Sequence, residues 1–221
     1  MYLSFDEWNV WFHSSEKDTG IEKWIESPPR LEDIYTMEDA LVVGCMLITL
    51  IKNSGRVKVA CLAQLVNVIA PVMTEPGGPA WRQTIYWPFK DASLWGRGTA
   101  LQCPVNSERY DSAEYGGVPW LEAAAVYNEE AGEIVIFAVN RHLSDSLELE
   151  AGLYGFESCR FIGHTALFNA DIKAVNSAGD EKVKPVLQPE GDIEGGTLRA
   201  LLPPASWNVI RVAAGGERRP D

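Results

Sequence analysis

A chain of 221 residues, 46% of them apolar, can bury the core of one large or two small domains, which excludes wholesale disorder. Its formal net charge of -12 excludes nucleic acid and anionic membrane surfaces as partners, because both require basic patches, while a neutral, hydroxyl-rich ligand is compatible with it. No apolar run is long enough to span a bilayer and no signal peptide follows Met1, so the expected location is the cytoplasm.

Along the chain, residues 2–7 read as a short strand ending in Asp6-Glu7. A strand this close to Met1 suggests a chain that begins partway through its fold. Residues 13–34 are polar and irregular, with Gly20, Pro28 and Pro29 marking a loop. Thr36 is placed to cap a helix from Met37 to Lys52, with Asp39 as its capping-box partner and Asn53-Ser54-Gly55 as the stop. A second strand runs from Val57 to Leu65 and on through Ile69. Strand, helix, strand in that order is a βαβ unit and predicts a parallel sheet. Thr74 to Pro79 is a loop, Trp81 to Phe89 is predicted to be helical, and Gly96-Arg97-Gly98 is a linker.

Beyond residue 100 the pattern changes to short strands: Trp120–Tyr127, Glu133–Asn140, Ser146–Glu150, Ser158–Phe168, Thr197–Leu202 and Trp207–Val212. Asn128 to Gly132 is a hairpin turn, and Leu147 and Leu149 alternate with Glu148 and Glu150 as in a half-buried strand. The fold class expected is therefore α/β plus all-β, with an antiparallel β-sandwich following the βαβ unit. Cys45, Cys61, Cys103 and Cys159 form no CxxC pair, so no zinc site is expected; Cys45 and Cys61 sit in apolar runs and read as buried thiols.

The chemistry concentrates in Ser4 to His13. Two carboxylates stand at the C-terminal end of a strand, the end that carries the active site in a (β/α)8 barrel. Trp8, Trp11 and Phe12 offer flat faces of the kind that stack on sugar rings, and a carboxylate beside them can attack an anomeric carbon. A hydrogen-bonded structural feature uses the same residue types, so spacing leaves both readings open.

The segment Phe5 to Trp11, FDEWNVW, resembles the nucleophile motif of the family 51 α-L-arabinofuranosidases. Leu62 to Pro71 followed by Met73-Thr74-Glu75, then Trp81 to Ile85 with Pro88-Phe89, are similar to further segments of that family. Phe137 to Arg141 and Ser206 to Arg211 are weaker matches. The resemblance implies that residues 1–98 are the C-terminal part of a (β/α)8 catalytic barrel, residues 99–214 a jelly-roll-like β-sandwich and residues 215–221 a flexible tail. It implies Glu7 as nucleophile, with Trp11, Gln64 and Asn9 binding substrate and His13 and Asn67 as weaker candidates. Asp6 would orient the site. Phe12 stands where many relatives carry Tyr.

A retaining glycosidase needs two carboxylates roughly 5–5.5 Å apart. In this family the acid/base Glu follows an Asn in an earlier part of the barrel. The Asn128-Glu129 pair here lies in the hairpin turn, so the acid/base is expected outside this chain, which alone should be inactive. The resemblance implies hydrolysis of terminal non-reducing α-L-arabinofuranosyl groups, with no cofactor or metal. The expected partner is an arabinose-containing oligo- or polysaccharide, and further copies of the chain are a second candidate. The alternatives are a related glucanase or xylosidase, or a non-catalytic carbohydrate-binding sandwich. No GxSxG elbow or phosphate-loop spacing appears, and His142 and His164 have no triad partners in the sequence pattern.

Overall fold

The computed structural model describes residues 1–12 and 19–215. Strand β1 (Leu3–Trp8) is joined through helix α1 (Met37–Lys52) to strand β2 (Val57–Leu62), and the two strands pair in parallel with Leu3 opposite Val57 and Trp8 opposite Leu62. The helix starts where its cap requires. The Thr36 hydroxyl accepts from the Asp39 N–H, and the Asp39 carboxylate accepts from the Thr36 N–H at 2.7 Å. Asn53 closes the other end, its side-chain amide donating to the Thr49 carbonyl at 2.8 Å.

β2 stops short of the predicted Leu65. Asn67 and Ile69 adopt φ of 61° and 41°, values incompatible with a strand, and the Asn67 side-chain oxygen accepts from the Thr74 N–H at 2.8 Å. The chain therefore bends after Leu62 and enters a hairpin of β3 (Val72–Thr74) and β4 (Ala80–Arg82). Helix α2 (Tyr86–Trp95) begins later than the aromatic run predicts, because Trp81 and Arg82 belong to β4. Pro88 falls in its first turn, where the missing N–H is not needed. At the linker, Gly98 has φ of 111° and passes so close to β-sandwich backbone that a Cβ would lie 2.1 Å from the Tyr127 carbonyl oxygen.

The remaining strands are β5 (Thr99–Ala100), β6 (Arg109–Ser112), β7 (Gly116–Pro119), β8 (Leu121–Asn128), β9 (Glu133–Asn140), β10 (Leu147–Gly152), β11 (Cys159–Leu167), β12 (Val186–Leu187), β13 (Asp192–Glu194), β14 (Thr197–Leu202) and β15 (Ser206–Ala214). A six-stranded antiparallel sheet runs β12-β11-β15-β9-β8-β5, and a three-stranded one runs β10-β14-β13. Ala123, Ile134, Ile136 and Ile210 of the first pack on Leu149, Leu198 and Leu202 of the second. This is the predicted sandwich.

The other face of the six-stranded sheet carries α1 and α2. Met37, Ala40, Ile48 and Trp87 share a core with Val126, Val135, Phe137 and Trp207. A Cβ on Gly44 would lie 2.6 Å from the Trp207 ring, so α1 sits close against the sheet. The Trp207 indole N–H donates to Asp91 Oδ2 of α2 at 3.1 Å. Burial on both faces explains why β8 and β9 read as continuous apolar runs. Segment 168–185 then returns to the helices: Met37 and Glu38 N–H donate to the Ala174 and Ile172 carbonyls, and the Trp87 indole donates to the Val183 carbonyl at 3.0 Å.

One cysteine expectation is corrected. Cys45 is half-buried against the core, but Cys61 is exposed. Its neighbours Ala60 and Leu62 pack toward the helices, so alternation turns Cys61 to the open face of the strand pair. No helix among the described residues is long and apolar enough to cross a membrane.

Candidate active site

β1 and β2 end together. Trp8 lies opposite Leu62, and the Ala63 N–H donates to the Trp8 carbonyl at 3.0 Å. Glu7, Asn9, Trp11 and Gln64 are thus brought to one end of the pair, the C-terminal end. Alternation sets which way each side chain turns. Trp8 faces the helices and is 6% exposed among Tyr35, Val43, Leu47 and Ile85. This corrects the expectation that Trp8 offers a sugar-stacking face: the core that anchors β1 uses it. Glu7, next along the strand, turns to the open face and is exposed, as is Asp6.

The loop after β1 is fixed by several bonds. Asn9 Nδ2 donates to the Ala63 carbonyl at 2.6 Å and the Ile69 carbonyl at 2.5 Å, while its Oδ1 accepts from the Val10 N–H at 2.8 Å. Both amide hydrogens are engaged in the fold, which leaves a ligand only spare capacity on Oδ1. The Tyr35 hydroxyl donates to the Val10 carbonyl at 3.2 Å, and the Phe12 ring meets the Tyr35 ring edge-on. Burial, reinforced by the charges of Asp33 and Asp39, pushes the Tyr35 phenol far above its usual pKa, so it keeps its proton. Trp11, 61% exposed, projects from this loop.

Gln83 is fully buried behind the loop. Its Nε2 donates to the Asp33 and Ala70 carbonyls at 2.9 and 2.8 Å, and its Oε1 accepts from the Tyr35 N–H at 2.9 Å. One amide thereby joins the segment entering α1 to the segment leaving β2. Sequence reasoning missed both Gln83 and Tyr35. The available signal was a polar residue inside an otherwise aromatic stretch.

Gln64 is exposed, follows a cis Ala63–Gln64 peptide bond, and borders a hollow of about 250 Å³ against Tyr86 and Phe89 of α2. Asn67 builds the bend, its side-chain oxygen also accepting from the Thr74 hydroxyl at 3.2 Å. His13 lies outside the described residues. Asn128 caps the β8–β9 turn, accepting from the Glu130 and Ala131 N–H groups at 3.1 Å each, which keeps the Asn128-Glu129 pair in a hairpin. Among the described residues no group of three or more His, Cys, Asp or Glu is arranged to hold a metal.

An exposed carboxylate at a parallel strand end, followed in the next loop by an exposed indole, can act as a nucleophile toward an anomeric carbon. With the helices behind it and the sandwich on the far side, the architecture defines a class: a parallel βαβ unit with a β-sandwich packed on its helices. The chain belongs to the alpha-L-arabinofuranosidase C-terminal domain family, which matches residues 6–206. It is 55% identical to an intracellular exo-alpha-(1->5)-L-arabinofuranosidase of Halalkalibacterium halodurans, over 96% of this chain and 42% of that protein. It is 50% identical to intracellular exo-alpha-(1->5)-L-arabinofuranosidase 1 of Bacillus subtilis, over 95% of this chain and 42% of that one. The solved structure of a family 51 alpha-L-arabinofuranosidase from Bifidobacterium longum superposes with a TM-score of 0.85 at 40% identity, covering 95% of this chain and 41% of that one. The chain thus spans about two fifths of the length of these relatives.

Proposed function

We propose that this chain is the nucleophile-bearing part of a retaining, exo-acting α-L-arabinofuranosidase. The intact protein removes terminal non-reducing α-L-arabinofuranosyl groups from arabinan- and arabinoxylan-type polysaccharides and their oligosaccharides. The observation that carries this reading is the exposed Glu7 carboxylate at the C-terminal end of β1, beside the end of β2. Glu7 attacks the anomeric carbon while a second carboxyl, supplied from outside this chain, protonates the leaving oxygen. Water then displaces Glu7 from the arabinosyl-enzyme, and two inversions give net retention. Trp11 forms an aromatic wall of the sugar pocket and Gln64 hydrogen-bonds the arabinose. Asn9 holds the strand ends that carry them and offers its Oδ1 to a sugar hydroxyl.

In this reading residues 1–98 close the catalytic barrel, residues 99–214 form the sandwich and residues 215–221 a tail. Leu3, Phe5 and Val59, exposed on β1 and β2, would be covered once further strands join. The word intracellular in the relatives' names supports a cytoplasmic protein. Neither nucleic acid nor membrane is a partner, and assembly with further copies of the chain is compatible with the reading.

The test uses the full-length protein and an activated aryl arabinofuranoside. Such a leaving group needs little protonation, so the first step depends on the nucleophile. Glu7→Ala should lower turnover by on the order of 10⁴-fold or more. Added azide should restore product as a glycosyl azide of inverted configuration. Near-normal rates in Glu7→Ala would remove Glu7 from this role and make Asp6 the next residue to test.

A further inference from the structure

We propose that the β-sandwich carries a second sugar-binding site, in the cleft between residues 106–108, Trp120 and β10. The site shares no residue with the one around Glu7. Only its ligand class, a neutral oligosaccharide of the arabinan or arabinoxylan kind, rests on the arabinofuranosidase reading.

The cleft has a volume of about 630 Å³ and one aromatic wall, made by Trp120 and His142 with ring centroids 4.3 Å apart. Tyr110 of β6 stacks on Trp120 at 4.3 Å and an angle of 31°. These rings are held in place before any ligand arrives. The Trp120 N–H donates to the Glu108 carbonyl, and the Trp120 carbonyl accepts from the Arg141 N–H. His142 Nδ1 accepts from the Asp145 N–H at 2.9 Å. The fully buried Asn140 fixes the loop, donating from Nδ2 to the Asp145 and Pro203 carbonyls and accepting the His142 N–H on Oδ1. A wall fixed in this way costs little ordering entropy on binding.

Part of the cleft's polar lining is uncommitted. Among the described residues, Asn106, Glu108, Ser146 and Glu148 line the cleft and their side chains make no hydrogen bond to the protein, whereas Ser107 bonds to the Glu108 carbonyl, Asp145 sits against His142 and Glu150 pairs with Arg199. No Lys or Arg lines it, so an anion has no counter-charge there. The Asn106 amide and the Ser146 hydroxyl stand among the residues Glu108, Asp145, Glu148 and Glu150, and a polyol uses both donors and carboxylate acceptors. A metal ion or an ammonium group would leave the donors idle. A second grip on a polymer raises its effective concentration at the first site.

The test is native electrophoresis of the full-length protein through gels with and without dissolved arabinan or arabinoxylan. Turnover of a small aryl arabinofuranoside is followed in parallel. At least one of the two polysaccharides should retard the protein. Ser146→Phe, which fills the cleft, and Glu148→Ala should each weaken that binding about tenfold. Both should leave the melting temperature and aryl-arabinofuranoside turnover unchanged. Glu7→Ala should lose turnover and keep the retardation. Three outcomes overturn the second site: no retardation, retardation indifferent to both cleft variants, or a cleft that binds spermidine and no polysaccharide. If the parent protein turns over no arabinofuranoside while the cleft variants still weaken retardation, the second site stands and the arabinofuranosidase reading falls.

Discussion

Asp91 shows how much one buried carboxylate can weigh. It is 5% exposed, accepts the Trp207 indole N–H, and has the Lys90 ammonium 3.6 Å away. Burial pushes its pKa up more strongly than the hydrogen bonds and the Lys90 charge pull it down. A folded-state pKa above the unfolded one means the folded protein holds this proton more tightly. The associated stability is full below the unfolded pKa and is lost as pH rises through the folded value. Asp91→Asn keeps an acceptor for Trp207 and removes the titration. Urea denaturation at several pH values should therefore show the variant gaining on the parent from acid to neutral pH, and a pH-independent difference would refute the assignment. Legibility at this scale was uneven for a related reason. The position of Glu7 near the end of β1 was legible in the sequence, but whether Trp8 faced a sugar or a helix depended on what packs behind β1. The engagement of Asn9 by Ala63 and Ile69 depended on a loop about sixty residues away, which no local pattern reports.

Local signals set α1 and distant ones set α2. The Thr36–Asp39 capping box and the Asn53 stop lie within the helix's own sequence, and its limits were legible to the residue. The end of β2 and the start of α2 depend on Asn67 and Gln83, whose bonds reach Thr74, Asp33, Tyr35 and Ala70, and both boundaries were misplaced. The β6–β7 hairpin was missed because its residues, RYDS and GGVP, are polar or conformationally neutral and bury little. Close packing of α1 on the sheet gives a prediction in which two effects oppose. Gly44→Ala gains about 1 kcal/mol of helix propensity. It also drives a methyl group into the Trp207 ring, 2.6 Å from where the new Cβ would stand. Overpacking of about 1–3 kcal/mol should win, lowering the urea midpoint. A higher midpoint would mean that α1 can lift from the sheet at little cost.

At the scale of the molecule, the two faces of the βαβ unit are unequal. The helix face packs on α1 and α2, which pack in turn on the outer face of the six-stranded sheet, whereas Leu3, Phe5 and Val59 of the two strands are left 41%, 49% and 49% exposed. β1 and β2 form a two-stranded sheet, so each also has an unpaired edge among the described residues. Expressed by itself, the 221-residue chain should bind a hydrophobic dye or self-associate in sedimentation. On the proposed barrel reading, a longer protein in which further strands cover that face should do neither. A monodisperse monomer without dye binding would count against the barrel reading.

Segment 168–185 also bears on how such a protein can be recombined. Gly96–Gly98 looks like a natural seam, yet a genetic exchange cut there would strip the Met37 and Glu38 N–H groups of their acceptors at Ala174 and Ile172. It would also set Gly44 against a sheet with no Trp207 to receive it. The sandwich therefore packs as one unit with α1 and α2. Chimaeras that exchange it should fold only when the crossover lies ahead of α1, not at the glycines.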